Sequence, residues 1–383
     1  MGDFHPSDSG PCLTLEKLAM KKSLIALAVL AASGASFAQS TVTLYGVADM
    51  GYNTVKMTTG TTVNAKTAGI NSIQSGSRVG FKGTEDLGGG LKANFTFEYS
   101  VQPDEATTSM ANRQSFAGLE GGFGVLNIGR QYTLIHGIQG AMDPNGNATQ
   151  AGWLPGLTNS VRSDDTIAYT SPSFNGFTAS VASSMAGSET STAAGATKAG
   201  DATSIGAAYT SGPLSVRVVT ETIKRSALNV ALPGTVYTTT VTSNGLSDSL
   251  TDRKATSFGA SYDLGVAKVF FLNTTAKAGS AADNAKATSN NFGVSVPMGA
   301  LTLNGSFSNG KITDAASTAA TTSTAATASA TGKGTGYMLG ASYALSKRTN
   351  AYAFLGEAKS KPTGAPASNG KHSTMAMGLR HTF

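Results

Sequence analysis

The sequence predicts an all-β protein: a sixteen-stranded antiparallel β-barrel that crosses a membrane with its strands. Three observations carry that prediction. Apolar residues alternate with small or polar ones over segments of roughly ten residues. Short turns alternate with long connections between those segments. The chain also ends on an alternating stretch, "HSTMAMGLRHTF" (His372 to Phe383), with a bare aromatic as its last residue. In that tail Met375, Met377, Leu379, His381 and Phe383 share one parity, and Ala376, Gly378, Arg380 and Thr382 share the other. A strand sends alternate side chains to opposite faces, so the tail presents one oily face and one small or polar face. It is built to be paired.

The front of the chain is of a different kind. From Met20 it reads "MKKSLIALAVLAASGASFAQS": two lysines, an apolar run from Leu24 to Ala32, then small residues up to Gln39. That is the build of a secretory signal peptide, residues 20–38, cleaved after Ala38. Residues 1–19 read as an upstream extension outside the exported protein, and they hold the only cysteine, Cys12. Residues 39–383 are assigned to the barrel. Without cysteine this part does not rely on disulfides. Only 13% of residues are charged, and the mean hydropathy is −0.05. Beyond the leader, no stretch approaches the roughly 18 apolar residues of a membrane-spanning helix. A chain rich in Gly, Ser, Thr and Ala is either disordered or made of many short strands, and the period-two pattern decides for strands.

Turn clusters of Gly, Pro, Asn and Asp divide the chain into candidate strands at about 40–52, 73–83, 91–102, 112–120, 123–130, 164–171, 176–186, 203–210, 213–224, 254–263, 266–276, 289–296, 300–308, 335–344, 349–357 and 372–383. In "LKANFTFEYS", Leu91, Ala93, Phe95, Phe97 and Tyr99 fall on one face, with Lys92, Asn94, Thr96 and Glu98 on the other. Leu301, Leu303 and Phe307 alternate in the same way, as do Tyr337, Leu339, Ala341, Tyr343 and Leu345. A weak echo recurs as "GAAYTSG" at Gly206, "GASYDLG" at Gly259 and "GASYALS" at Gly340. The short connections are "EDLGGG", "GGFG", "PSFNG", "SGP", "DLG", "PMGA" and "LSKR"; long ones include 131–163, 225–253 and the Ala/Thr/Ser tract around Ala315 to Ala330.

An even number of such strands, short turns on one side and long loops on the other, is the pattern of a barrel in an outer membrane. Lipid offers no hydrogen-bond partners, so a spanning sheet must close on itself. A soluble sandwich would instead carry charge on its outer faces, and here both faces are poor in it. The C-terminal strand must therefore pair with the first strand near "STVTLYGVADMGY", and Phe383 belongs at a membrane interface.

"TLYGVADMGY", "SRVGFKGTEDLGGGLKANFTFE", "NRQSFAGLEGGFGVLNIGRQY", "DDTIAYTSPSFNGFTASV" and the ending "GLRHTF" resemble the Gram-negative general porins, in particular their β-proteobacterial branch. The resemblance spans Gln39 to Phe383. It implies an outer-membrane, trimeric diffusion pore for small hydrophilic solutes and ions, with the third long loop folded inward as a constriction. It also implies that the terminal Leu379 and Phe383 belong to a signal read by the barrel-assembly machinery.

In such a pore the chemistry is charge placement at the narrow point. Val79 and Phe81 are apolar, so Arg78 and Lys82 are expected in the lumen. Phe116 is taken to face lipid, which sends Arg113 and Ser115 inward. Ile167 and Tyr169 face lipid, so Thr166, Asp164 and Arg162 face inward, and Glu98 opposes Phe97 and Tyr99. An arginine at the lipid midplane costs about 2–4 kcal/mol, which favours the inward reading. Arg130 shares parity with Leu126 and Ile128 and needs a bulge or strand end to turn inward. The resemblance places basic wall residues at Arg78, Arg113, Arg130 and Arg162. Asp143 is the only carboxylate between Arg130 and Arg162, in "MDPNGNATQAGWLPG", where many family members carry an acidic "PEFGG"-like segment. The acidic side is thus reduced to Asp143 and Glu98, and the pore is expected to lean weakly toward anions. Trp153 is expected to pack that loop against the wall.

Rival readings are weighed by the same residues. A channel specific for small carboxylates or phosphate-like anions shares this electrostatics. A sugar channel needs luminal aromatics, whereas most aromatics here take the lipid parity. A barrel hydrolase needs a histidine beside a nucleophile; beyond the leader the chain has only His136, His372 and His381. No His/Cys cluster has metal-ligand spacing, and no cofactor is implied. Long Ser/Thr/Ala loops fit shielding of the barrel mouth better than an adhesin. The net charge of +6 is spread along the chain without a nucleic-acid-binding motif; it fits contact with lipids and anionic lipopolysaccharide.

Overall fold

A computed structural model describes residues 41–59, 62–102, 112–146, 156–157, 161–185, 201–224, 229–231, 238–240, 252–279, 284–313, 331–363 and 369–383. Residues 1–19, the signal peptide expected over residues 20–38, Trp153 and the tract around Ala315 to Ala330 lie outside the described residues. In chain order the strands are β1 (Thr41–Thr59), β2 (Thr62–Asn71), β3 (Arg78–Gly88), β4 (Leu91–Ser100), β5 (Asn112–Gly121), β6 (Gly124–Tyr132), β7 (Gly156–Leu157), β8 (Arg162–Thr170), β9 (Phe177–Ser184), β10 (Ala202–Ser211), β11 (Leu214–Ile223), β12 (Asn229–Ala231), β13 (Thr238–Thr240), β14 (Arg253–Asp263), β15 (Lys268–Gly279), β16 (Asn284–Met298), β17 (Leu301–Thr313), β18 (Thr331–Ala344), β19 (Thr349–Thr363) and β20 (Gly370–Thr382). A helix, α1 (Leu134–Ala141), follows β6.

Seventeen strands form one antiparallel sheet, and β7, β12 and β13 make a small separate one. Sixteen of the seventeen close a barrel, each pairing with its chain neighbours. β20 closes the ring on β1, from Val47 opposite Thr382 to Thr59 opposite Gly370. The last residue takes part: Gly46 N–H donates to Phe383 C=O at 3.0 Å, and Phe383 N–H returns to Gly46 C=O at 3.2 Å. Closure pairs the first and last strands with each other, so neither is left as an edge open to lipid or another chain.

The seventeenth strand, β2, pairs with the upper half of β1, from Gly51 opposite Asn71 onward, while the lower half of β1 pairs with β3. A continuous strand over 73–83 was the sequence expectation. Instead β2 and β3 are two parts of one wall position, broken where Ser72 to Ser77 turn into the lumen. The break is held by polar side chains. Ser77 Oγ donates to Asp49 C=O and accepts from Asp49 N–H, both at 2.9 Å, and Ser72 Oγ bonds both Asp49 C=O and Ser77 Oγ. Asp49 itself is fully buried; its carboxylate accepts from Ser75 N–H and from Tyr352 Oη at 2.5 Å. Ile73 then packs, fully buried, against Met338, Tyr352, Phe354 and Ala376 of the facing wall.

Parity sorts the rest as lipid requires. Phe81, Phe97, Ile128, Ile167, Val181, Ile205, Phe258, Phe292, Phe307, Leu339, Leu355 and Met377 are all exposed on the outside. Their strand neighbours Ser204, Ser257, Asn291, Ser308 and Ser360 are buried on the inside. Phe123, Phe174, Phe177, Tyr262, Tyr343 and Phe383, each beside a short turn or the chain end, are exposed and ring the short-turn rim, where an aromatic girdle is expected.

Replacing Ile73 by alanine should remove the anchor of the inward turn. A buried Ile→Ala change costs about 2–5 kcal/mol; here the loss is expected near the low end, since the lumen is wet. A thermal melt of the folded barrel in detergent checks this: the I73A barrel should form but unfold at lower temperature.

Candidate functional site

The chain leaves the wall at Tyr132 and enters the lumen. Thr133 caps α1, its side chain accepting from His136 N–H at 3.2 Å, which satisfies one of the free donors of the first turn. Ile135, Ile138 and Met142 then bury themselves against Val219, Ala255, Leu272, Ala276, Ala287 and Ile312 of the inner wall. Full burial of such side chains is worth about 1.5–3 kcal/mol each, so this apolar strip holds the loop down. Glycines make the room. A Cβ on Gly259 would lie 2.5 Å from Met142 Cγ, one on Gly293 would lie 2.6 Å from Pro144 Cδ, and one on Gly340 would lie 2.8 Å from Asn145 Oδ1. Gly206, the first member of the sequence echo, lies under Leu134. The echo therefore marks luminal seats for the loop, with its tyrosines on the outer face.

Beside the loop's origin the wall is basic. Arg113 Nε meets Glu98 Oε1 at 2.6 Å and Arg78 Nε meets Glu98 Oε2 at 3.5 Å. Tyr45 Oη donates to the same carboxylate at 3.2 Å, and its ring carries Lys82 Nζ at 5.3 Å. Tyr132 ties in the next strand: its hydroxyl accepts from both Arg113 and Arg162 at 3.1 Å. The Arg162 guanidinium lies 4.6 Å from the centre of the Tyr132 ring, a cation–π distance, and His136 stacks on that ring at 4.9 Å. The result is a column, His136–Tyr132–Arg162, that joins the loop helix to the basic wall. Nearby, Arg380 lies directly opposite Asp49 across the barrel seam.

The predicted residues therefore divide. Arg78, Arg113 and Arg162 are brought together. Glu98 joins them on the same wall, nearly fully buried between two arginines, and not on a facing acidic side. Asp143 is buried in the turn after α1, accepting from Asn145 N–H at 2.9 Å. Arg130 stands apart. It lies opposite Ser115, which lies opposite the exposed Phe97, so it takes the outer parity. There it pairs with Asp164 at 2.5 Å.

The parity premise for Arg113 also needs correction. Phe116 lies opposite Thr96, on the face of Glu98, whereas Leu119 is exposed outside; Phe116 and Ser115 thus take faces opposite to those expected. Arg113 reaches the lumen because the register slips by one between Glu98, opposite Gln114, and Tyr99, opposite Asn112. A second slip, between Gly129 and Gln131, bulges Arg130 and Asp164 together. An extra residue in one strand re-aims its side chains, and period-two counting does not see it. Tyr45, Tyr132 and Arg380 were not singled out as site residues. Tyr132, the aromatic closing "NIGRQY" before the loop, was the one available signal.

Burial, followed by the charges of Arg162 and Arg113, depresses His136 to about 4. The folded pKa lies below the ordinary value of about 6.5, so between these values the unfolded chain binds more protons. Stability from the neutral ring is present at neutral pH and is lost as pH falls from about 6.5 toward 4. Thermal melts at pH 7.5 and pH 4.5 should therefore show a larger drop for the wild type than for His136→Gln.

Comparison with known proteins agrees with this architecture. A family model described as "Gram-negative porin" matches residues 24–363. Outer membrane porin protein 32 of Delftia acidovorans is 35% identical over 307 residues, covering 74% of this chain and 77% of that protein. A solved structure described as "Anion-selective porin from Comamonas acidovorans" superposes with a TM-score of 0.67 at 25% identity, covering 90% of this chain and 100% of that one. OmpT of Vibrio cholerae, described as a "trimer form", has the same fold at 15% identity with a TM-score of 0.62, over 90% of this chain and 99% of that one. A closed sixteen-stranded barrel with an inward loop, matched along most of its length, belongs to the Gram-negative porin family, and the protein is an outer-membrane porin.

Proposed function

We propose that this porin is a general diffusion channel for small hydrophilic solutes and ions, weakly selective for anions, with Arg78, Arg113 and Arg162 as the basic side of its narrow point. One observation supports the reading most directly: three guanidinium groups share one wall, and the single carboxylate among them, Glu98, is enclosed between two. The loop facing them contributes only Asp143, which is engaged in its own turn. Two unit charges 4 Å apart in water interact by about 1 kcal/mol, so a small cationic excess yields a several-fold preference and not strict exclusion. Guanidinium forks also fit carboxylate and phosphate oxygens in pairs, which favours small anionic solutes among those that pass. The work is passive transport with no catalytic step.

The rigid Tyr132 column gives a second reading some footing: a channel specific for small carboxylates or phosphate-like anions would also hold its arginines in fixed positions. In either case a homotrimer is proposed, in keeping with the trimer form described for the Vibrio cholerae structure. Residues 20–38 are proposed to direct export. Leu379 and Phe383, both exposed beside the closing seam, are proposed as the signal read by the assembly machinery.

Planar-bilayer recording under a KCl gradient separates the alternatives. Large ohmic steps with a reversal potential on the chloride side are expected, and Arg78→Gln with Arg113→Gln should move that potential toward potassium. Small steps that saturate with one solute would replace the general pore by a specific channel, and no steps from a folded barrel would end both readings. Deletion of Phe383 should lower the amount of assembled barrel in the outer membrane severalfold without changing the conductance of what assembles, as heat-shift gels of membrane fractions would show.

A further inference from the structure

The six residues Ser72 to Ser77, "SIQSGS", break the wall strand and carry no charge. Buried Ile73 and Ser77 hold this turn down, while Gln74, Ser75 and Gly76 stay partly exposed in the lumen. Each of these three reaches a different neighbour. Ser75 Oγ accepts from Arg78 Nη2 at 3.1 Å. A Cβ on Gly76 would lie 3.1 Å from Arg113 Nη1. Gln74 Oε1 accepts from Asn350 Nδ2, on β19, at 2.9 Å.

Between β3, which carries Arg78, and β19 lie β1 and β20. Neighbouring strands are about 4.8 Å apart, so the turn bridges about 14 Å of inner circumference. That arc lies beyond the last wall seat of the long loop among the described residues. From Tyr132 the loop runs over Gly206 of β10, Gly259 of β14 and Gly293 of β16, and reaches Gly340 of β18. A Cβ on Gly340 would meet Asn145 Oδ1 and the Phe354 ring, each at 2.8 Å. Phe354 in turn shares a buried cluster with Ile73, so the two inward elements meet there. The described residues thus trace a complete circuit: basic wall, loop helix, loop tip, inward turn and basic wall again.

We propose that the inward turn is a second jaw of the narrow point, with Gln74 a specificity-determining residue and Ser75 a positioning residue for Arg78. This deepens the pore reading given above and rests on its placement of the basic side. Ser75 holds one edge of the Arg78 guanidinium, and Glu98 Oε2 lies 3.5 Å from its Nε. A guanidinium drawn wholly onto a carboxylate forks two of its five N–H donors there and is neutralised. Shared with a hydroxyl, it keeps more of its charge and donors for a passing anion. Gln74 supplies an uncharged amide on the arc between the arginines and the loop tip. It sets width and hydrogen bonding there without opposing either ion.

The test combines bilayer recording under a KCl gradient with liposome swelling in uncharged sugars of increasing size. It uses the full barrel, shown to be folded by heat-shift gels. Gln74→Glu places a carboxylate on the second jaw and should lower the chloride-to-potassium permeability ratio about two- to fivefold. Asn94→Glu puts the same charge on the face of Glu98, four residues nearer the short turn on β4, and should lower the ratio much less. Gln74→Trp should cut swelling by the larger sugars severalfold more than by the smallest. Ser75→Ala should lower the ratio, and Ser75→Thr, which keeps the hydroxyl, should hold it at the wild-type value. Folded Gln74→Glu and Gln74→Trp barrels with wild-type ratio and size dependence would overturn the second jaw. So would an equal shift from Asn94→Glu, which would show that the lumen senses charge at any height. The Arg78→Gln, Arg113→Gln barrel, run alongside, keeps the two readings apart. If it leaves the ratio unchanged while Gln74→Glu moves it, the basic side fails and the second jaw stands.

Discussion

Everything in this molecule follows from the closure of β20 onto β1. Within a bilayer an unpaired backbone N–H or C=O has no solvent to turn to, so sixteen strands are stable there only as a ring. The seam is continuous from Gly370 to Phe383. Side chains are chosen to match it: Met375, Met377 and Leu379 face out, and Ala376 is buried inside. The same seam carries Asp49, whose buried carboxylate joins Tyr352 of β19 to the inward turn at Ser72 to Ser77. A single polar anchor thus ties ring closure to the shape of the lumen.

Inside the ring, rigid walls turn loop placement into a packing problem. The helix α1 is short and has no acidic residue in its first turn, so its place is set by burial of Ile135, Ile138 and Met142 and by glycines that let it approach. The proposed basic side is organised differently, by hydrogen bonds to Glu98 and Tyr132. Loop and wall meet at His136, which stays neutral at physiological pH because it is buried beside two arginines. A charged ring there would oppose Arg162 and Arg113, so the contact that positions the loop also avoids adding to the cationic excess.

The outside of the barrel follows a different rule from the inside. Its lower and middle parts carry the aromatic rim and the apolar band suited to hydrocarbon. Arg130 and Asp164 share that outer surface further round the barrel, paired with each other, so their charges are compensated within the protein.

The sequence by itself determined the class of fold, the strand number, the faces of most strands and the role of the last strand. All of these are consequences of period-two patterning against lipid, and patterning is local. It also marked Arg78 and Glu98 correctly as luminal, because their strands keep regular alternation there. Only the tertiary structure decided the rest. Bulges beside Arg113 and Arg130 broke the count that parity relies on, sending one arginine inward by a different route than expected and leaving the other outside. Glu98 could be placed in the lumen from its strand alone, but its position between two arginines depended on the register of three strands. The repeated glycines and the uncharged stretch Ser72 to Ser77 were visible as letters. Their meaning, as loop seats and as an inward turn, appeared only when register set residues from distant parts of the chain side by side.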